Sequence, residues 1–228
     1  MGDRHPLTWL GISGVILLVI LLQWFFPVSL SVMSVCVLIM MIIPFIIRFE
    51  RKRITGREIV LLAVLSAVAA VSRIPFAALP SIQPTTFVII MTGMVFGAES
   101  GFVVGAMAAL VSNLILGQGP WTPWQMLAWG LIGLAAGGLR NTRLMQTMWG
   151  RCVFGLGAGF CFGWLMNVWG LLALNNAISW KSLLAYYSLS FYFDLAHALS
   201  NVVFLLLFSR SWMNILSRFK RKYGLFAD

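Results

Sequence analysis

Long apolar runs follow one another along almost the whole chain, and this pattern restricts the possible folds more than any other feature. Hydrophobic residues make up 61% of the sequence and charged residues only 10%, with a mean hydropathy of +0.94. A soluble domain of 228 residues cannot bury that much apolar surface. Most of the runs approach the roughly 20 residues that a helix needs to cross a bilayer. The sequence therefore predicts an all-α integral membrane protein.

The basic residues are concentrated in the connections between the apolar runs. The chain has 16 Lys and Arg against 6 Asp and Glu, and they cluster at residues 48–57, 140–151 and 210–222. Because cytoplasmic loops are enriched in Lys and Arg, all three clusters are predicted to lie in the cytoplasm, with anionic lipid beside the tail. Nucleic-acid binding is not expected, since no polar module is present to carry it.

Counting the apolar runs between these clusters predicts eight transmembrane helices with both termini in the cytoplasm. Residues 1–50 are predicted to form a two-helix N-terminal hairpin, whose first run, 7–26, is interpreted as an uncleaved anchor. Residues 51–228 are predicted to form a six-helix membrane domain with a basic cytoplasmic tail after its last helix, residues 183–208.

Residues 74–85, IPFAALPSIQPT, contain three prolines and are predicted to be neither helix nor strand. Exposed backbone of that kind is not tolerated in hydrocarbon, so the segment should lie at the outer surface or line a cavity, where it is a candidate lid. The apolar run that follows, 85–96, is short for a full span, which is typical of substrate sites in transporters. Arg73, just before the lid, is expected either to pair with an anionic substrate group or to extend toward headgroup phosphates.

A second interruption, GQGPWTPWQMLAW at residues 117–129, combines two prolines with aromatic and amide side chains. Amphipathic rings of this kind suit either the lipid–water boundary or the mouth of a pocket for a ring-containing small molecule. The residues concerned are Gln118, Trp121, Trp124, Gln125 and Trp129.

The last predicted helix carries Ser190, Asp194, His197 and Asn201 on one face, because their spacings follow the helical repeat. An ionisable side chain near mid-bilayer costs several kcal/mol unless it faces a partner or a wet cavity, so Asp194 indicates a functional site. The alternative is an internal Asp194–His197 pair that only locks helices together.

No catalytic residues, cofactor or metal are expected. HExxH, GxSxG and Walker A motifs are absent from the sequence, and Asp194 with His197 would supply too few metal ligands. The residues are better suited to binding a solute. Since no ATPase motif is present, another subunit would have to supply energy for transport.

The third predicted helix, residues 59–73, carries a stripe of small residues, Ala63, Ala67 and Ala70, that permits close approach of another helix. Packing within the protein's own bundle and docking of an external partner remain alternatives for this stripe.

Residues 57–210 resemble the membrane-embedded, substrate-binding S component of an energy-coupling factor (ECF) vitamin transporter. The resemblance rests on GREIVLLAVLSAVAAVSR, the Pro-rich segment, TGMVFGAESGFVVGAMAALVSN and GQGPWTPWQM. It implies a six-helix bundle, so that the leading hairpin is an addition. It also implies a plasma-membrane location, docking of the alanine stripe on a T component, two ATPases, and gating by the lid.

The resemblance further implies a substrate site formed by polar and aromatic residues in the outer half of the bundle: Arg73, Gln83, Asn113, Gln118, Trp121, Trp124, Gln125, Asn167, Asp194 and His197. The Trp-rich segment inclines the expected vitamin toward cobalamin, with riboflavin, pyridoxine-like compounds and queuosine precursors as alternatives. The alternative functions are a membrane scaffold or assembly subunit without a small-molecule ligand and an intramembrane enzyme.

Overall fold

The computed structural model describes residues 29, 32–39, 54–173 and 179–226. The chain divides into two compact units, Met1–Arg53 and Ile54–Asp228. In the first unit residues 32–39 are helical, and the remainder of the predicted hairpin lies outside the described residues. The total of eight helices consequently stays a prediction.

The described part of the second unit consists of helices and their connections and contains no strand, so the all-α prediction is confirmed there. Its helices are α1 Gly56–Val71, α2 Thr85–Phe96, α3 Ala98–Leu116, α4 Thr122–Gly138, α5 Arg143–Gln146, α6 Met148–Ala173 and α7 Trp180–Tyr223.

Four helical segments of the described residues are long and apolar enough to cross a membrane: Gly56–Phe76, Ala98–Leu116, Met148–Ala173 and Trp180–Tyr223. The helix α2 is apolar but too short for this. All of its residues except Met94 are buried, and it packs against α1, α3, α4 and α7. A helix that is buried all round belongs to the centre of a bundle, so α2 forms the core that the longer helices enclose.

Close helix contacts depend on glycine where α3 meets α4. A Cβ on Gly101 would overlap the backbone of Gly133, and a Cβ on Gly105 would overlap the carbonyl of Trp129. The backbones of the two helices therefore nearly touch, as small residues allow in membrane bundles. This packing places Trp129, with no exposed surface, in the interior of the protein.

Three predicted boundaries differ from the structure. The lid segment begins with a short 3-10 turn, Ile74–Phe76, and α4 begins at Thr122, so the second interruption is a loop only over residues 117–121. Both helices carry proline in the first turn, where its missing N–H costs nothing. The basic tail is also helical, because Lys and Arg are good helix formers and α7 continues to a C-cap at Gly224.

Candidate functional site

Arg73 is the centre of a set of polar contacts that we call the Arg73 network. Its Nε donates to Gln83 Oε1 at 2.9 Å, and its Nη1 donates to Ser112 Oγ at 2.6 Å and to Asn113 Oδ1 at 3.0 Å. The guanidinium also lies over the ring of Trp129, 4.9 Å from the centroid. The side chain is thus held inside the protein and does not extend to a lipid headgroup. Within the described residues none of its partners is a carboxylate.

Asn113 connects this network to the start of α4. Its Nδ2 donates to Thr122 Oγ1 at 3.0 Å and to Gln125 Oε1 at 2.8 Å. The Thr122 hydroxyl donates in turn to Gln118 Oε1 at 2.8 Å. Because both ends of the buried Asn113 amide are engaged, its side chain fixes the position of Arg73. The predicted residues Gln83, Gln118 and Gln125 belong to the same chain of contacts.

His197 and Trp129 belong to one aromatic cluster, in which both contact Thr86 and Phe162. The Nε2 of His197 is 2.8 Å from Thr86 Oγ1, which also accepts the indole N–H of Trp129 at 3.0 Å. The ring of Phe162 packs edge-on against His197 at 4.9 Å and lies against Trp129 at 4.7 Å between centroids. The imidazole is 3% exposed, so its polar contact with Thr86 compensates for its burial.

Asp194 belongs to a second set of contacts, which we call the Asp194 network. Ser190 Oγ donates to Asp194 Oδ2 at 3.0 Å, and Asn167 Nδ2 donates to Ser190 Oγ at 2.6 Å. The carboxylate lies against Gly163 of α6, where a Cβ would collide with it. Asp194 and His197 share a buried face of α7, as predicted, but within the described residues they bond to different partners and not to each other.

Two tryptophans meet edge to face where α4 and α6 approach each other. The rings of Trp121 and Trp169 are 5.9 Å apart at 74°. The Nε1 of Trp169 is buried and has no hydrogen-bond partner among the described residues. A buried N–H without an acceptor costs about 1–3 kcal/mol, so Trp169 Nε1 is a candidate donor to a bound solute.

The lipid-boundary interpretation does not hold for Trp124 and Trp129. Their side chains are 5% and 0% exposed, respectively, so they pack in the protein interior. Trp121 is half-buried and is the predicted tryptophan that stays accessible at the loop.

The lid segment is attached at its end to the bundle. The backbone N–H of Gln83 donates to Ser200 Oγ on α7 at 3.1 Å, while the Gln83 side chain accepts from Arg73. A single residue therefore connects the lid to both α7 and the Arg73 network.

The alanine stripe is divided between two faces of α1. Ala63 and Ala67 are exposed, together with Val60 and Val64, whereas Ala70 is only 1% exposed and packs inside the bundle. A surface of small residues for a partner helix would consequently comprise Ala63 and Ala67 but not Ala70.

Several residues of these networks were not among the predicted site residues: Thr86, Ser112, Phe162, Gly163 and Trp169. Hydroxyl residues inside helices commonly bond to their own backbone, so no local pattern distinguishes Thr86 or Ser112. The described residues include no group of three or more His, Cys, Asp or Glu that could hold a metal ion.

These features define a helical membrane protein in which apolar helices enclose connected polar side chains. The family model for the ECF-type riboflavin transporter, S component, matches residues 53–215, which is more than half of the chain. The chain belongs to this family. No curated protein and no solved structure matches the sequence significantly.

Family membership confirms the resemblance and makes the chain a substrate-specific membrane subunit of an ECF transporter, which is not a catalytic subunit. It implies a T component and ATPases as partners, and with the apolar helices it indicates a multi-pass protein of the plasma membrane. Nothing in the match supports the preference for cobalamin.

Proposed function

We propose that this chain binds riboflavin or a closely related flavin from the outer side of the membrane and delivers it with a T component and two ATPases. The observation that carries the proposal is the family match over residues 53–215, a range that includes every member of both polar networks. The outer side is the side opposite the three basic clusters, by the positive-inside rule.

The Arg73 network has the chemistry to hold the ring system of a flavin. A flavin is flat and carries carbonyl oxygens and ring nitrogens along one edge, which accept hydrogen bonds. Among the described residues, Nη2 of Arg73 makes no hydrogen bond, and the planar guanidinium lies next to the aromatic face of Trp129. The guanidinium could donate hydrogen bonds to the flavin carbonyl oxygens, while the neighbouring aromatic ring contacts the flat flavin ring system.

Trp169 offers a second, independent donor. Its buried Nε1 lacks a partner in the described part of the chain, while its ring contacts Trp121. A flavin carbonyl or hydroxyl would satisfy this donor, and Trp121 would supply an aromatic surface for stacking.

The Asp194 network is suited to the sugar-alcohol chain of riboflavin. It combines an amide, a hydroxyl and a carboxylate that are linked in a chain of hydrogen bonds through Ser190. Such groups bind polyol hydroxyls as donors and acceptors. One turn of α7 separates Asp194 from His197, and His197 is connected through Thr86 to Trp129 under Arg73.

The lid is proposed to gate this site. Gln83 bonds to Arg73 through its side chain and to Ser200 through its backbone, so movement of residues 77–84 would open or close the site beside Arg73. Ordered closure of this kind excludes water from a polar site.

The test is a titration of riboflavin with the purified full chain, in which quenching of the flavin fluorescence measures binding. Trp169→Phe keeps an aromatic ring but removes the unpartnered donor, so binding should weaken by about tenfold. Trp164→Phe is the matched control, because Trp164 lies on the same helix and is 51% exposed; its affinity should stay within about twofold of the wild type. A wild-type chain that does not quench riboflavin fluorescence, or equal losses in both variants, would contradict the proposal.

A further inference from the structure

A cavity of about 430 Å³ lies among α2, α5, α6, α7 and the connection after α4, away from both polar networks. Three half-buried cations line it: Arg140, Arg151 and Lys220. They belong to two of the basic clusters that the positive-inside rule places in the cytoplasm, so the cavity should open on that side. Amide groups of Asn141 and Gln146 complete its polar lining.

Among the described residues that line this cavity, none is a carboxylate. Arg140 makes no side-chain hydrogen bond or ion pair within the described residues; its guanidinium lies over Gly97, where a Cβ would approach Nη1 to 2.7 Å. Arg151 donates only to neutral groups, from Nε to the Thr147 carbonyl at 3.2 Å and from Nη1 to Ser209 Oγ at 3.3 Å.

Stabilisation of the C-terminus of α2 accounts for Lys220 and for the position of Arg140 against the C-cap Gly97, but not for Arg151. Lys220 Nζ donates to the carbonyl of Val95 at 3.1 Å, in the last turn of α2, where a cation favours the helix dipole. Neither arginine binds a carbonyl of α2 in the described structure. Two half-buried guanidinium groups that line one cavity, with no carboxylate among its described lining residues, repel each other unless an anion lies between them.

We propose that this cavity is a binding site for a phosphate group, held by Arg140 and Arg151. The guanidinium fork matches the oxygens of a phosphate, and such charge-assisted bonds are among the strongest that side chains form. The phosphate comes either from an anionic lipid headgroup or from a small phosphorylated solute of the cytoplasm.

The surroundings of the cavity favour the lipid. Two exposed apolar side chains lie close in the chain to lining residues. Leu144, next to Met145, is 41% exposed, and Trp149, two positions before Arg151, is 75% exposed. Exposed aromatic side chains near basic residues are typical of headgroup depth, and basic pockets between helices on the cytoplasmic side bind anionic headgroups.

The experiment is native mass spectrometry of the full chain in detergent. The chain is titrated in three separate arms, with phosphatidylglycerol, with phosphatidylcholine and with inorganic phosphate. Arg140→Gln with Arg151→Gln should weaken binding of the phosphate-bearing ligand by at least about tenfold. Arg143→Gln with Arg210→Gln removes the same charge from exposed arginines that do not line the cavity, and affinity should stay within about twofold.

Arg140→Gln alone is a second variant, because Arg140 makes no described hydrogen bond and its replacement should leave the fold intact. Saturable one-to-one binding of phosphatidylglycerol over phosphatidylcholine supports a headgroup site. Saturable binding of inorganic phosphate without binding of phosphatidylglycerol supports a site for a small solute. No one-to-one binding of either, or equal losses in both double variants, would overturn the proposal. Riboflavin titration of the same variants should be unchanged, which separates this site from the proposed substrate site.

Discussion

At the scale of single residues, the central feature is a cation held by neutral groups. Arg73 is surrounded by an amide from the lid, a hydroxyl and an amide from α3, and the face of Trp129. Burying a charge without a counter-charge is costly unless several dipoles solvate it, and these partners fulfil that role. The arrangement orients the guanidinium in advance of any ligand.

Arg73→Lys should therefore disturb binding although it preserves the charge. An ammonium group cannot reproduce the planar set of bonds to Gln83, Ser112 and Asn113, so we expect riboflavin affinity to fall by at least about tenfold. Isothermal titration with riboflavin measures the change, with the exposed Arg210→Lys as the control. Unaltered affinity in Arg73→Lys would contradict a role for the planar guanidinium in recognition.

The residue predictions succeeded where the signal was local. The spacing of Ser190, Asp194 and His197 on one helix was sufficient to predict their common face, and Ser190 does bond to Asp194. The partner of His197 was not predictable, because Thr86 lies 111 positions away in the chain. Contacts of that kind depend on how α2 packs against α7, which no local pattern specifies.

At the scale of helices, the contact between α6 and α7 determines where Asp194 lies. Gly159 of α6 packs against Ala198, and Gly163 packs against the Asp194 carboxylate, so neither position has room for a Cβ. The close approach of the two helices holds Asp194 at the interface.

Gly163→Ala should consequently displace the Asp194 carboxylate. We expect a loss of about 1–3 kcal/mol in stability from overpacking and a weaker affinity for riboflavin. Gly157→Ala is the matched control: it lies on the same helix with nothing within 4 Å of a new Cβ, and it should be neutral or slightly stabilising. Thermal unfolding in detergent and riboflavin titration measure both effects. A Gly163→Ala protein as stable as Gly157→Ala would contradict the role of this contact.

The prolines show what could and could not be predicted about the elements. Pro75 and Pro120 correctly indicated interruptions of the helices, but Pro123 lies in the first turn of α4 and not in a loop. A proline terminates a helix from inside and is tolerated at its start, and the sequence alone does not distinguish the two positions. The shortness of α2 was predicted correctly: the helix runs from Thr85 to Phe96, between an N-cap at Pro84 and a C-cap at Gly97.

At the scale of the whole molecule, the described surface of α1 carries the candidate docking face. Ala63 and Ala67 are exposed between Val60, Val64 and Val68, which leaves a smooth apolar surface. Family membership implies a T component as partner, and small exposed residues allow a second helix to approach closely. The site networks and this face involve different residues, so binding and assembly should be separable.

Ala63→Leu with Ala67→Leu should prevent assembly without affecting the ligand. Two added side chains would hold a partner helix away, and we expect recovery of the T component in co-purification to fall at least about fivefold, with riboflavin affinity unchanged. Ala185→Leu, at an exposed position of α7, is the control and should assemble normally. Normal assembly of the double variant would contradict docking through this face.

The most direct measurement of the proposed function is to purify the full chain without partner subunits and identify its bound small molecule by mass spectrometry and visible absorbance. We expect riboflavin or a close flavin relative at about one molecule per chain, and its loss in Asp194→Ala. A chain that carries cobalamin, or that carries no ligand and is not stabilised by added riboflavin, would contradict the proposal.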